Sequence, residues 1–348
     1  MSKKIYNVAV LGASGYTGLE IIRLLIKSNN NYKILVLTAE TKAGMEVSDI
    51  FPHLRAYDLP KLIKINEVNF DKIDAVISCL PHGKSHKIVA SIPNHIKIID
   101  LSADFRFSDT SLYEKTYDSK HIEKQLQKEV VYGLTELNRV EIKNSRIVAN
   151  PGCYPTSALL PLIPLVNNGI IDPMNIIIDS KSGVSGAGRT HKDYLLFGEI
   201  SEGFMAYGLP NHRHKPEINF QLSRIIKSDI NVTFTPHLLP IKRGILSTIY
   251  IKIKGNYGIE DLKNCLDNKY KNEAFVNFYD NYIPNIHDVR GTNLCNIGVV
   301  YDGNSNTCII ISVIDNLLKG ASGQALQNLN LMFDIEETHG LINVPMFL

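Results

Sequence analysis

Tryptophan is absent from this 348-residue chain and cysteine is scarce, with five residues at 79, 153, 265, 295 and 308. Their number is odd and their spacing fits no metal-ligand pattern, so neither a disulfide framework nor a bound metal is expected. Reduced thiols point to a cytosol. Long apolar runs are missing as well, for no stretch reaches the ~18 apolar residues that a membrane helix needs. The first residues, Met1-Ser2-Lys3-Lys4-Ile5-Tyr6-Asn7, enter a strand pattern without a secretory apolar region. A cytoplasmic, unexported protein is the expectation, with no membrane partner. Charge of one sign is lacking too, since the formal net charge is +2 and long single-sign runs do not occur. That excludes the electrostatic footprint of a nucleic-acid binder.

What is present is length and alternation. A chain of 348 residues exceeds one typical core and fits two domains. Short β-branched runs at Ile5–Leu11, Lys33–Leu37, Ala75–Cys79 and Lys97–Leu101 alternate with helical patterns such as Gly18–Lys27. This rhythm predicts an α/β fold with a parallel sheet and crossover helices over 1–150. From about 175 the strands lengthen, at Asn175–Ser180, Asn231–Pro236, Leu246–Lys254 and Thr307–Ile314, which predicts an antiparallel or mixed sheet in a second domain. The apolar spacing of Leu317, Leu318, Ala321, Ala325, Leu329 and Met332 predicts a helix over Asp315–Met332 that packs back on one of the sheets. No low-complexity linker separates the two domains, so a tight junction near 150 is expected.

Gly12-Ala13-Ser14-Gly15-Tyr16-Thr17-Gly18 follows the first strand and opens the first helix, the context required of a dinucleotide-binding turn. Its glycines permit a close approach of backbone to pyrophosphate, whose oxygens would meet N–H groups at the helix N-terminus. Ser78-Cys79-Leu80-Pro81-His82-Gly83, after another strand, falls at the same edge of the sheet. The segment Thr38-Ala39-Glu40-Thr41-Lys42-Ala43-Gly44 should meet the adenosine ribose. There Glu40 could accept from a 2′-hydroxyl or Lys42 attract a 2′-phosphate, and both readings stay open.

Asn150-Pro151-Gly152-Cys153-Tyr154-Pro155-Thr156 sets a thiol directly after a Pro-Gly break, between the strand pattern Ser145–Ala149 and the helical run Ala158–Val166. At a helix N-terminus the partial positive charge favours an anionic sulfur. A buried, inert cysteine is the other reading of the same residues. Ser182-Gly183-Val184-Ser185-Gly186-Ala187-Gly188-Arg189 combines backbone donors with one guanidinium, a composition suited to an oxyanion or phosphate. His212-Arg213-His214-Lys215-Pro216-Glu217-Ile218 starts a helical pattern with cations where the dipole disfavours them. A misfit of this kind marks function, and imidazole exchanges protons near neutrality. Arg106, in Ser102-Ala103-Asp104-Phe105-Arg106, is a further cation, open to an anion or to a structural acid such as Asp104.

Together these segments resemble the N-acetyl-γ-glutamyl-phosphate reductase family, which serves the third step of arginine biosynthesis, in its longer bacterial form. Gly12–Gly18, Ser102–Arg106, Asn150–Thr156, Gly183–Arg189, His212–Ile218, Pro240–Leu246 and Asp315–Gln324 match its blocks in order across nearly the whole chain. The pairing of the cysteine block with the His-Arg-His block carries the specificity. The resemblance implies a Rossmann-type NAD(P)-binding domain at 1–150 and an α+β catalytic and oligomerisation domain of glyceraldehyde-3-phosphate dehydrogenase type at 151–314. The last segment, about 315–348, would return to the first domain. It implies NADP(H), a cytoplasmic site, a homodimer or homotetramer, and an acyl phosphate reduced through a thioester. Carried over, Cys153 is the nucleophile, His212 the acid/base and His214 a neighbouring substrate contact. Ser185, Arg189, Arg106 and Arg213 are candidates for holding the anions, with Asn150 beside the cysteine. Gly12, Ser14, Gly15, Tyr16, Thr17, Gly18, Thr38, Lys42, Ser78, Leu80, Pro81, Gly186 and Asn316 are the expected cofactor contacts. One position departs: the family usually has a basic residue where this chain has Glu40, which leaves Lys42 to meet a 2′-phosphate. Rival readings are an aspartate-semialdehyde dehydrogenase-like reductase, or a nucleotide sensor that has lost its chemistry; the sensor would be expected to lack the cysteine or the histidine.

Overall fold

The computed structural model describes residues 4–303, 305 and 307–347. Met1–Lys3, the start of the stretch read for a leader, lie outside them. The chain divides into two compact units, Met1–Pro151 with Ala321–Ile342, and Gly152–Gly320 with Asn343–Leu348. Among the described residues no helix is long and apolar enough to cross a membrane.

In the first unit β1 (Tyr6–Leu11) leads through α1 (Tyr16–Lys27) to β2 (Tyr32–Thr38), then α2 (Val47–Ile50) and β3 (Leu62–Ile63). There follow β4 (Ala75–Ser78), α3 (Ser85–Ser91), β5 (Lys97–Asp100), α4 (Thr110–Tyr117), β6 (Val130–Tyr132), α5 (Thr135–Asn144) and β7 (Ile147–Ala149). Among the described residues these strands make one parallel sheet ordered β3-β2-β1-β4-β5-β7-β6. Val8, Ala9, Val10 and Leu11 are all buried, as are Ala75, Val76 and Ile77. Burial on both faces is why these strands read as unbroken apolar runs rather than alternating ones. The strand order reverses between β1 and β4, and open parallel sheets take ligands outside the carboxyl ends of the strands at such a reversal. The loop after β1 and the loop after β4 both leave the sheet there.

The turn after β1 depends on two glycines. Gly12 has a φ of +80°, and a Cβ on it would stand 2.7 Å from the Cys79 carbonyl oxygen. A Cβ on Gly18 would stand 2.6 Å from the Gly12 carbonyl oxygen. Strand, turn and helix are therefore in backbone contact. Gly15 differs, since the nearest atom to a Cβ there is the Gly12 carbonyl oxygen at 3.7 Å.

The second unit comprises α6 (Cys153–Asn167), β8 (Ile177–Gly183), α7 (Phe197–Ile200), β9 (Met205–Ala206), α8 (His214–Ile226) and β10 (Thr233–Leu239). It continues with β11 (Ile245–Ile251), α9 (Ile259–Tyr270), β12 (Val276–Tyr279), β13 (Cys295–Asp302) and β14 (Thr307–Ile314). The sheet is mixed, ordered β12-β13-β14-β11-β8-β10-β9 among the described residues. Helix α6 packs on β11 and β14 and against α8 and α9. It survives two internal prolines, Pro161 and Pro164. Pro164 has no N–H for the Leu160 carbonyl, and the Tyr270 hydroxyl of α9 donates to that carbonyl instead.

The apolar spacing predicted one helix over Asp315–Met332, but the chain makes a π-helical turn at Leu318–Ser322 before α10 (Gly323–Met332). The cause is local competition: the Asp315 carboxylate accepts from the N–H groups of Leu317 and Leu318 at 2.9 and 3.2 Å while pairing with Arg243. Helix α10 is part of the first unit and lies against α5, α1 and β5. There Asn328 donates to the Gly133 carbonyl at 2.9 Å and accepts from the Thr135 hydroxyl at 2.6 Å.

The glycine contacts carry a stability forecast. Gly18→Ala, which overpacks backbone, should destabilise the protein by about 1–3 kcal/mol in denaturant unfolding, whereas Gly15→Ala should change stability by less than about 1 kcal/mol. Equal losses for the two would contradict the contact pattern.

Candidate active site

Cys153 is the first residue of α6, preceded by Gly152 as N-cap with no side-chain cap hydrogen bond. The residue is half-buried. The Pro-Gly break thus does what the sequence reading expected of it, ending β7 and starting α6 at the thiol. A helix N-terminus leaves several backbone N–H groups without helical partners, and these favour an anion placed there. Space beside Cys153 is tight on one side, since a Cβ on Gly320 would come within 2.8 Å of the Cys153 Cβ.

One backbone donor at this terminus is already claimed. The Gly152 N–H donates to Oε1 of Glu217 at 2.9 Å, and Glu217 is fully buried in the first turn of α8. A buried carboxylate is costly unless hydrogen-bonded, so this bond fixes the start of α6 to the start of α8. Sequence reasoning missed the role of Glu217. An acid in the first turn of a helix looks like an ordinary partner of the dipole, and only burial distinguishes it.

His212 precedes α8, and its Nδ1 accepts the N–H of His214 at 3.1 Å. A ring nitrogen that accepts carries no hydrogen, so in the neutral ring the hydrogen sits on Nε2. Aromatic rings surround His212: Tyr154 at 5.6 Å, Tyr207 at 5.3 Å, His214 at 5.0 Å and Phe234 at 5.5 Å between centroids. The Tyr207 hydroxyl donates to that of Tyr154 at 3.2 Å. Tyr154 follows Cys153 in the chain, so the cysteine helix and the histidine loop share one aromatic wall. Burial, and secondarily the adjacent Arg213, lower the His212 pKa from 6.5 to about 4. His214 is the more buried imidazole, at 8% exposure.

The glycine-serine loop bends tightly after β8. A Cβ on Gly183 would stand 2.8 Å from the Arg243 backbone nitrogen, and residues Val184–Ala187 form a 3-10 turn. Asn316 gathers this region, donating to Ser185 Oγ at 2.9 Å and accepting the Gly244 N–H at 2.8 Å. Ser185, Gly186 and Asn316 are thereby brought together, whereas Arg189 and Arg213 are exposed. Arg243 and Asp315, paired at 3.0 Å, were not read from the sequence. Their signal lay in two blocks whose charged residues no local pattern distinguishes.

In the first unit, Thr38 supports the glycine turn rather than standing apart from it. Its hydroxyl accepts the Gly12 N–H at 3.2 Å and its carbonyl the Ala13 N–H at 2.9 Å. Ser78 is buried and pairs with Ser85 at 2.8 Å between hydroxyls. Glu40 accepts from the Ile65 N–H at 3.4 Å, and Lys42 is half-exposed. Arg106 donates through Nε to the Asn150 carbonyl at 2.9 Å and through a terminal nitrogen to the Leu101 carbonyl at 3.0 Å. Asn150 itself donates to the Ala321 carbonyl at 3.1 Å. The turn fits a dinucleotide pyrophosphate. Gly15 leaves space that a side chain would fill, α1 opens with no side-chain cap, and its first turn carries no acid.

The His212 environment sets a pH dependence. Its pKa is lower in the folded than in the unfolded chain, so between about 6.5 and about 4 the unfolded chain binds more protons. Stability from this group is therefore complete above 6.5 and is lost as pH falls towards 4. His212→Asn should flatten the decline in melting temperature between pH 7 and pH 5; an unchanged slope would show that His212 is not held neutral.

Comparison with known proteins places the chain in a family. The model for the semialdehyde dehydrogenase NAD binding domain matches residues 7–145, and that for the semialdehyde dehydrogenase dimerisation domain matches 153–316. A chloroplastic protein of Arabidopsis thaliana, named a probable N-acetyl-γ-glutamyl-phosphate reductase, is 50% identical over 99% of this chain and 86% of its own length. The N-acetyl-γ-glutamyl-phosphate reductase of Rhodospirillum rubrum is 48% identical, with all of both chains covered. Among solved structures, aspartate semialdehyde dehydrogenase II of Vibrio cholerae superposes with a TM-score of 0.70 at 17% identity, over 95% of this chain and 99% of the other, a likeness of fold. By sequence, then, the chain belongs to the N-acetyl-γ-glutamyl-phosphate reductase family.

Proposed function

We propose that this protein reduces N-acetyl-L-glutamyl 5-phosphate to N-acetyl-L-glutamate 5-semialdehyde and phosphate, with NADPH as reductant and Cys153 as nucleophile. The observation that carries the reading is Cys153 as first residue of α6, partly accessible, in a chain that shares full-length identity with reductases of this name. Sγ of Cys153 attacks the acyl carbon, an S–C bond forms, the C–O bond to phosphorus breaks, and phosphate leaves. Backbone N–H groups at the start of α6 stabilise the oxyanion of the tetrahedral species. When bound, the nicotinamide supplies hydride to the thioester carbon. The C–S bond then breaks and the sulfur departs with the bonding pair. His212, with its hydrogen on Nε2, donates a hydrogen bond to the departing thiolate, which stabilises the charge on sulfur without taking a proton from the ring. Ser185, Arg189 and Arg213 are assigned to the substrate anions. Arg106 remains a candidate beside them, with two of its donors on the backbone carbonyls of Asn150 and Leu101.

The first unit would hold the cofactor on the Gly12–Gly18 turn, and Lys42 would meet the 2′-phosphate while Glu40 is engaged by Ile65. The second unit would carry catalysis and self-association, as a cytoplasmic homodimer or homotetramer. Its sheet presents an apolar row on one face: Tyr250 pairs with Ile177 on one side and Ile309 on the other, and Ile309 pairs with Val300. Ile177 is 47% and Val300 42% exposed, which suits burial by a second copy.

The test is spectrophotometric. Wild-type protein with NADP⁺, phosphate and N-acetylglutamate semialdehyde should generate reduced cofactor, and aspartate semialdehyde should not. Cys153→Ser should bind NADPH with unchanged affinity and lose turnover by about 10³-fold or more, because a neutral hydroxyl is a far weaker nucleophile than a thiolate. Wild-type rates in that variant would remove the covalent route.

A further inference from the structure

The loop after β4 has little backbone support of its own. Cys79 joins the sheet through its N–H to the Leu11 carbonyl, but Pro81, His82 and Lys84 are exposed and Gly83 has a φ of +78°. Its shape is set instead by a side chain from the next loop. Asp104, fully buried beyond the end of β5, accepts the Gly83 N–H at 2.7 Å, the His86 N–H at 3.0 Å and His86 Nδ1 at 3.0 Å. The Tyr113 hydroxyl of α4 adds a fourth donor at 2.7 Å. A carboxylate taken wholly out of water costs several kcal/mol unless donors replace the water, and three of these four come from the segment 83–86. The charge is thus spent on fixing one short segment. That segment continues into the glycine turn, because the Cys79 carbonyl is the atom that a Cβ on Gly12 would strike.

We infer that Asp104 is a positioning residue for the cofactor, acting through the Cys79–Gly83 loop: it holds in place, before ligand arrives, the backbone that forms the wall of the site opposite the glycine turn. This rests on the reading of Gly12–Gly18 as the dinucleotide turn. Pre-set backbone lowers the ordering cost of binding, so loss of the clamp should appear in cofactor affinity more than in chemistry on Cys153.

The experiment compares wild type, Asp104→Asn and Tyr113→Phe by NADPH titration of the free protein, hydrogen exchange without ligand, and iodoacetamide alkylation of Cys153. Asp104→Asn should raise the NADPH dissociation constant about ten-fold, the scale of losing charge-assisted hydrogen bonds. It should also speed exchange in peptides covering 79–86, with Cys153 alkylation unchanged. Tyr113→Phe removes a donor outside the segment and should shift the dissociation constant by less than about two-fold. Asp104→Glu should recover less than half of the lost affinity, since a longer side chain misplaces the same charge. If Asp104→Asn does not fold, His86→Asn, which removes one donor from the segment, is read in the same way and should weaken NADPH binding by about three-fold. Wild-type affinity in a folded variant whose 79–86 exchange has risen would overturn the role of Asp104 alone. Failure of the wild type to bind NADPH would overturn the cofactor reading, and this inference with it.

Discussion

The second unit is organised around the hydrogen bond from the Gly152 N–H to the buried carboxylate of Glu217. It joins the first turn of the helix that begins with Cys153 to the first turn of the helix that begins with His214. Two helix starts are thereby held by one carboxylate, and the chemistry assigned to them requires that arrangement. In the proposed chemistry the nucleophile sits at a helix N-terminus, and the imidazole that serves it is a neutral hydrogen-bond donor. The aromatic wall of Tyr154, Tyr207 and Phe234 supplies the second condition by excluding water from His212.

The first unit applies the same economy to backbone. Gly12, Gly18 and the Cys79 carbonyl are in contact, so the turn after β1 and the loop after β4 share one geometry, and Asp104 fixes the second of them. In each unit a buried acid positions backbone N–H groups rather than meeting a ligand itself. That choice follows from energetics: a buried carboxylate satisfied by several donors is rigid, and a rigid frame loses little entropy when a charged substrate or cofactor arrives.

How far the sequence reaches follows from the range of the interactions. The Gly12–Gly18 turn, the break at Pro151-Gly152 and the parallel alternation of the first 150 residues are written in local chemistry, and they were legible. The roles of Glu217 and Asp104 were not, because nothing in a one-dimensional pattern distinguishes a buried acid from a solvated one. Arg106 stood open to an anion or to a structural acid on its charge, and that two of its donors serve the carbonyls of Asn150 and Leu101 is a use that requires the fold to be known. The helix expected from Asp315 begins at Gly323, since apolar spacing does not register an aspartate that bonds the backbone ahead of it. The partners of Glu40 and His212 are the N–H groups of Ile65, 25 residues on, and His214, two residues on, which composition does not reveal.

The central claim is that Cys153, at the start of α6, receives the acyl group. The most direct measurement is mass spectrometry of protein quenched within seconds of mixing with N-acetylglutamyl phosphate in the absence of NADPH, followed by peptide mapping. The account predicts a thioester adduct of the N-acetylglutamyl group on the peptide carrying Cys153, discharged when NADPH is added before the quench. An adduct confined to another residue, or phosphate release with NADPH but no adduct at any time, would contradict it.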